Sequence, residues 1–202
     1  MKKKLFLLCV LLTSLTAEVN VLAFSGSTRK DSYNQKLLQE AALILERMGA
    51  KVTIIHLNDF PMPFFDEDLE HQHGMPKQAQ RLRNMMISSD AIMIASPEYN
   101  RSISAVLKNA LDWVSRGEMG QDSAFIEKPF AIMSASPGKK GGSRGLDHLR
   151  TILEDVHAQV IAKQVSIPFA HKYFAEVERK ENILLKEELQ ELLSHKSLSF
   201  IP

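Results

Sequence analysis

The chain has 202 residues; Lys and Arg (25) almost balance Asp and Glu (24), and the hydrophobic share is 45%. That length can bury one sizeable core, and so even a charge carries none of the basic excess that a nucleic-acid face needs. Cys9 is the only cysteine, which excludes an intrachain disulfide and a thiolate metal site.

Lys2, Lys3 and Lys4 precede an apolar run, Leu5 to Leu12, and a small, mildly polar stretch that ends at Ala17. This is the layout of a signal peptide, and the run is too short for a stable membrane span. The expectation is a signal peptide or extension over 1–17 and one domain over 18–202. Val19 to Phe24 reads as a buried strand. Ser32 is a candidate N-cap for a helix to about Met48, with Leu37, Leu38, Ala41, Leu45 and Met48 at helical spacing and Gly49 as stop signal. Lys51 to His56 is a β-branched, alternating strand. Asn58 to Gly74, with Pro61, Pro63 and many acids, reads as a loop.

Lys77 to Ser88 reads as a helix and Ala91 to Ala95 as the third strand. Ile103 to Ser115 carries Val106, Leu107, Ala110, Leu111 and Val114 on one helical stripe. Phe130 to Ser134 is a fourth strand, Leu146 to Val156 a helix, Gln159 to Ser166 the place of a fifth strand, and Glu178 to Leu193 a closing helix. Strands separated by helices in this rhythm imply βαβ units and a mostly parallel sheet. Such a sheet binds ligands beyond the carboxyl ends of its strands, which directs attention to three loops.

The first, 25–34, joins the first strand to the first helix. A turn of this kind can offer backbone N–H groups to a phosphate, helped by the positive end of the helix. Ser27 and Ser32 add hydroxyls, Arg29 a guanidinium fork and Asn34 an amide donor. The plainer reading is a capped turn with a solvated arginine. The second loop, 96–102, holds Pro97, a planar ring at Tyr99 and the amide of Asn100, mixed contacts that suit a planar heterocycle. The third, 134–145, is rich in glycine, which permits close backbone approach to a ligand. Its spacing is not that of a P-loop, and no Gly-x-Gly-x-x-Gly follows the first strand.

Three stretches together, SGSTRKDSYN (25–34), SPEYNRSISAVLKNALDW (96–113) and KPFAIMSASPGKKGG (128–142), resemble the NADPH-dependent FMN reductase family, which includes bacterial quinone and chromate reductases. The resemblance implies an α/β, flavodoxin-like three-layer sandwich around a five-stranded parallel sheet of order 2-1-3-4-5. It further implies non-covalent FMN, NADPH or NADH as co-substrate, a small-molecule electron acceptor, and homodimers or homotetramers. Carried over by position, Ser27, Arg29, Ser32 and Asn34 would hold the FMN phosphate, with Ser25 and Thr28 on the same loop. Pro97, Glu98, Tyr99 and Asn100 would line the isoalloxazine, and Ser134, Ala135, Ser136, Gly138 and Gly141 would complete the ring pocket. Hydride transfer by a flavin requires no general base, so Glu98 is read as ordering its loop and no side chain is assigned a catalytic role. Lys108, Asn109, Asp112 and Trp113 are read as core or subunit interface.

Two features depart from the family. Arg101 stands where many relatives carry Gly; it is assigned to the pocket mouth, where it would attract an anionic substrate. The signal-like segment implies export, whereas the family default is cytoplasmic. Two other classes compete: a flavodoxin-like electron-transfer protein without NAD(P)H turnover, and an exported interaction protein with a vestigial pocket. His71, His73, Asp66, Glu67 and Asp68 lack ordered metal-ligand spacing and read as a solvated acidic loop.

Overall fold

A computed structural model describes residues 18–116, 123–175 and 183–198. The signal-like segment 1–17 and the expected start of the last helix, 178–182, lie outside the described residues. Strands β1 (Asn20–Ser25), β2 (Lys51–His56), β3 (Ala91–Ala95), β4 (Pro129–Ala135), β5 (Gln159–Val160) and β6 (Val165–Ile167) form one parallel sheet. The order is β2-β1-β3-β4-β5, as expected, with β6 also paired to β4.

Both faces are covered, so successive residues of the central strands enter different cores. Val21 and Ala23 of β1, Met93 of β3 and Ala131 and Met133 of β4 face one side. There they meet helices α1 (Tyr33–Arg47) and α7 (Ile183–Leu198), through Leu37, Leu38 and Leu45 and through Leu185, Leu189 and Leu192. Leu22, Phe24, Ile92, Ile94, Phe130 and Ile132 face the other. They are covered by α3 (Lys77–Ser88), α4 (Ala105–Val114) and α5 (Ser143–Asp155). This is the three-layer sandwich that alternating strands and helices imply.

Two places differ from the sequence reading. The stretch expected as loop contains a 3-10 turn at Leu57–Asp59 and a short helix, α2 (Glu67–His73). The Asp66 carboxylate caps α2, accepting from the N–H groups of Asp68 (2.8 Å) and Leu69 (3.1 Å). No residue of α2 is buried, so no apolar stripe marks it in sequence.

The second difference is the fifth strand, which is two short strands separated by residues 161–164, so the sheet has six strands rather than five. Side chains satisfy the backbone groups that the break frees. Arg150 Nη2 donates to the carbonyls of Ile161 (2.7 Å) and Ala162 (3.3 Å), and Nη1 to that of Val160 (3.4 Å). On β4 opposite the gap, the Ile132 N–H donates to Glu188 Oε1 at 3.1 Å. Glu188 is fully buried on α7, and its Oε2 has no partner among the described residues. Burial pushes its carboxyl well above the ordinary carboxylate range; the Ile132 N–H and the Arg150 charge pull the other way, and Glu191 adds to the rise. A short helix, α6 (Ala170–Tyr173), begins two residues after β6.

Candidate active site

The three loops meet at the carboxyl ends of β1, β3 and β4. Between them lies a cleft of about 250 Å³, lined on one side by Ser27, Arg29, Ser32, Tyr33 and Asn34. The remaining walls are Pro97, Glu98 and Tyr99 from the second loop and Ala135, Ser136 and Pro137 from the third.

The first loop is pinned from beneath. Ser25 Oγ donates to the Ala95 carbonyl (3.1 Å) and accepts the Ser27 N–H (3.1 Å), so this hydroxyl builds the turn and stands outside the lining. Gly26 runs so close to α4 that a Cβ there would sit 3.0 Å from Leu107 Cδ2 and 3.2 Å from Pro97 Cδ. Ser104 caps α4 and donates to the Gly26 carbonyl at 2.6 Å. Ser27 Oγ accepts the Arg29 N–H at 3.4 Å, and Ser32 Oγ accepts the Gln35 N–H at 3.4 Å as the N-cap of α1. Both serines are buried, whereas Arg29 is exposed and its guanidinium has no partner among the described residues. Thr28 is exposed outside the lining, its carbonyl accepting from Asn58 Nδ2 at 3.3 Å.

Asn34 takes an unexpected place. Its Nδ2 donates to the Ala135 carbonyl (3.1 Å) and its Oδ1 accepts the Ala135 N–H (2.9 Å), joining residues 101 positions apart.

In the second loop Tyr99 and Ser102 exchange backbone hydrogen bonds of 2.9 Å in both directions. Asn100 (φ 50°) and Arg101 (φ 68°) form the tip, the positive-φ pair of a type I′ turn. Tyr99 is 50% exposed, and the Arg101 side chain is exposed and unpartnered among the described residues. Glu98 ties this loop to α5: Oε1 accepts from Arg144 Nη2 (2.7 Å) and Nε (3.1 Å), and Oε2 accepts the Gly145 N–H (3.2 Å).

In the third loop Ser134 is fully buried outside the lining, and its Oγ has no partner among the described residues. Gly142 (φ 89°) lies against it; a Cβ there would fall 1.9 Å from Ser134 Oγ. A Cβ on Gly141 (φ 61°) would strike the Ile167–Pro168 backbone at 2.8 Å. Gly138 has no such constraint and lies outside the lining, its N–H donating to Ser136 Oγ at 3.2 Å. Tyr33, which lies within the first motif but was assigned no role there, lines the cleft and stacks on Phe174 at 5.7 Å between centroids. Asn109 and Trp113 belong elsewhere: Asn109 Nδ2 (2.9 Å) and Trp113 Nε1 (2.8 Å) both donate to the Pro63 carbonyl. Lys108 pairs with Asp112 at 2.6 Å on the surface of α4. Among the described residues no group of three or more His, Cys, Asp or Glu side chains is gathered for a metal.

A turn of hydroxyls, a helix start and the Arg29 guanidinium thus line a cleft beside the half-exposed Tyr99 ring. The family model for NADPH-dependent FMN reductase matches residues 19–172. The chain belongs to this family. It is an oxidoreductase that uses FMN with NAD(P)H. It is 39% identical over 142 residues to an NAD(P)H-dependent FMN reductase of Pseudomonas aeruginosa, covering 69% of this chain and 73% of that one. It is 38% identical over 140 residues to an NADPH:quinone oxidoreductase of Arabidopsis thaliana, covering 69% of each. In fold it matches the flavoenzyme FerB, an NAD(P)H:(acceptor) oxidoreductase of Paracoccus denitrificans, with a TM-score of 0.70 at 23% identity, over 89% of this chain and 98% of that one.

Proposed function

We propose that this chain passes hydride from NAD(P)H, by way of FMN held in the 250 Å³ cleft, to a quinone, flavin or similar acceptor. The observation that carries the reading is the convergence of three loops on one cleft, with the donors on one side and an exposed aromatic ring on the other.

The donor set suits the cofactor. Ser27 and Ser32 hydroxyls, the N–H groups of the first turn of α1 and the Arg29 guanidinium form a dianion site for the phosphate. Pro97, Tyr99, Ala135, Ser136 and Pro137 offer the flat, partly apolar walls that an isoalloxazine needs. Bound FMN supplies the redox chemistry, accepting a hydride and giving up electrons. The protein's part is placement. Glu98 is committed to Arg144 and Gly145, which fixes the second loop and occupies this carboxylate. Tyr99, half exposed, borders the opening where substrate rings enter. Arg101 supplies a cation at the turn tip, suited to an anionic substrate or nucleotide phosphate.

The same reading takes residues 1–17 as a signal peptide, 18–202 as the reductase domain, and the working form as a homodimer or homotetramer. An absorption spectrum of the purified chain and an anaerobic NADPH titration test the core claim. Bound flavin that bleaches with NADPH is the expected result. Bound flavin that NADPH leaves oxidised would mark an electron-transfer protein, and a colourless chain that FMN cannot reconstitute would end the flavin reading. Mass spectrometry of the native N-terminus decides the processing of 1–17.

A further inference from the structure

We infer that Asn34 is a positioning residue, a clamp between the phosphate loop and the ring-side loop, rather than a ligand of the phosphate. This rests on the flavin reading above for its consequence, but on hydrogen bonds for its geometry.

The sheet explains why the clamp is there. The β3–β4 ladder runs as far as Ala95 against Met133, and the Ser96 N–H still reaches the Met133 carbonyl at 2.8 Å. Pro97 then turns the chain away, while β4 continues to Ala135. In a parallel ladder the backbone groups of every second residue point to the same side, so Ala135, like Met133, points toward β3. No strand remains there to receive it. The Asn34 amide stands in, donating to the carbonyl and accepting from the N–H as a strand neighbour would. Its side chain is committed at 4% exposure, buried on the second residue of α1. On the opposite side of the loop, Ser136 donates to the Ile167 carbonyl (3.1 Å) and accepts the Ala170 N–H (3.0 Å). Ala135 and Ser136 are therefore held from both flanks, and Asn34 is what joins the floor of the ring pocket to the helix start that receives the phosphate.

A phosphate ligand and a clamp differ in what they do to a flavin that has no phosphate. In the full chain, Arg29→Ala should weaken FMN and leave riboflavin unchanged. Asn34→Ala should weaken both by the same factor, about tenfold, and alter the visible spectrum of the bound flavin. Loss of FMN affinity with riboflavin untouched in Asn34→Ala would overturn the inference, as would two unchanged affinities. If Asn34→Ala does not fold, Asn34→Gln carries the same amide one methylene further out. The clamp predicts parallel losses in it, and a phosphate donor predicts FMN binding retained. Hydrogen exchange of the flavin-free chain reads the clamp independently. The Ala135 amide should lose protection in Asn34→Ala while Ile94 and Phe130 keep theirs, and retained protection of Ala135 would refute the clamp. A native chain that binds neither flavin would refute the proposed function alone, because the exchange experiment still decides the role of Asn34.

Discussion

Arg101 sits at φ 68°, a conformation that costs an L-residue with a Cβ about 1 kcal/mol and costs glycine little. Arg101 stands outside the cleft lining, and a strained cation at the tip of the loop that carries Tyr99 is what the proposed substrate role would explain. Arg101→Gly should therefore raise the unfolding free energy by about 1 kcal/mol in a urea titration. The same variant should raise the KM for NADPH by about two- to fivefold, the effect of one exposed charge, with less change for NADH. Equal changes for both nucleotides would remove Arg101 from phosphate recognition. Glu188 is a second site of residue-scale tension. Its folded carboxyl holds its proton well above the ordinary range, whereas the unfolded chain releases it near pH 4.5. Below that pH both states are protonated and nothing is lost; above it only the unfolded chain ionises, so stability falls as pH rises toward the folded pKa. Glu188→Gln keeps the acceptor for the Ile132 N–H and removes the titration. Its melting temperature relative to the native chain should climb between pH 4.5 and 8, and a constant difference would mean that Glu188 is not the titrating group.

At the scale of elements, α1 and α5 end in the same way with different residues. The Gly49 N–H reaches Glu46 (3.0 Å) and the Ala50 N–H reaches Leu45 (3.0 Å); the His157 N–H reaches Glu154 (2.9 Å) and the Ala158 N–H reaches Leu153 (2.9 Å). Both are Schellman closures, and His157 holds φ 65° where α1 uses glycine at φ 90°. His157→Gly should stabilise the chain by about 1 kcal/mol in denaturant unfolding, far from the cleft and without changing flavin affinity. The contrast also shows what could be read in advance. Gly49 announced the end of α1, while His157 gave no comparable stop signal for α5. Strands β1, β3 and β4 were legible because burial on both faces makes them continuous apolar runs. Helix α2 was not, because it buries no residue and so carries no apolar stripe between its Asp66 and Gly74 caps.

For the whole molecule, the strand order was legible once the three loop motifs pointed to a family, but the break in the fifth strand was not. It depends on Arg150 and Glu188 reaching across from two helices, pairings that no local pattern encodes. The same holds for the Asn34 clamp: the loops themselves could be found by their residue types, whereas a bond spanning 101 positions could not. The Arg150 fork now serves three carbonyls and moderates the Glu188 carboxyl between the two helical layers. Arg150→Leu should cost about 2 to 3 kcal/mol in a urea titration, since it strands partly buried carbonyls. Arg150→Lys should recover only part of that loss, because an ammonium cannot reproduce the planar fork.

The double fastening of Ala135 and Ser136 draws only on the chain's own groups. A pocket whose walls are already braced by the protein's own bonds does not wait for its occupant to take shape. If the proposed cleft holds the flavin, the cofactor-free chain should fold first and take up FMN in one bimolecular step, its stopped-flow rate rising linearly with FMN concentration; a rate that levels off would mean the walls rearrange on binding.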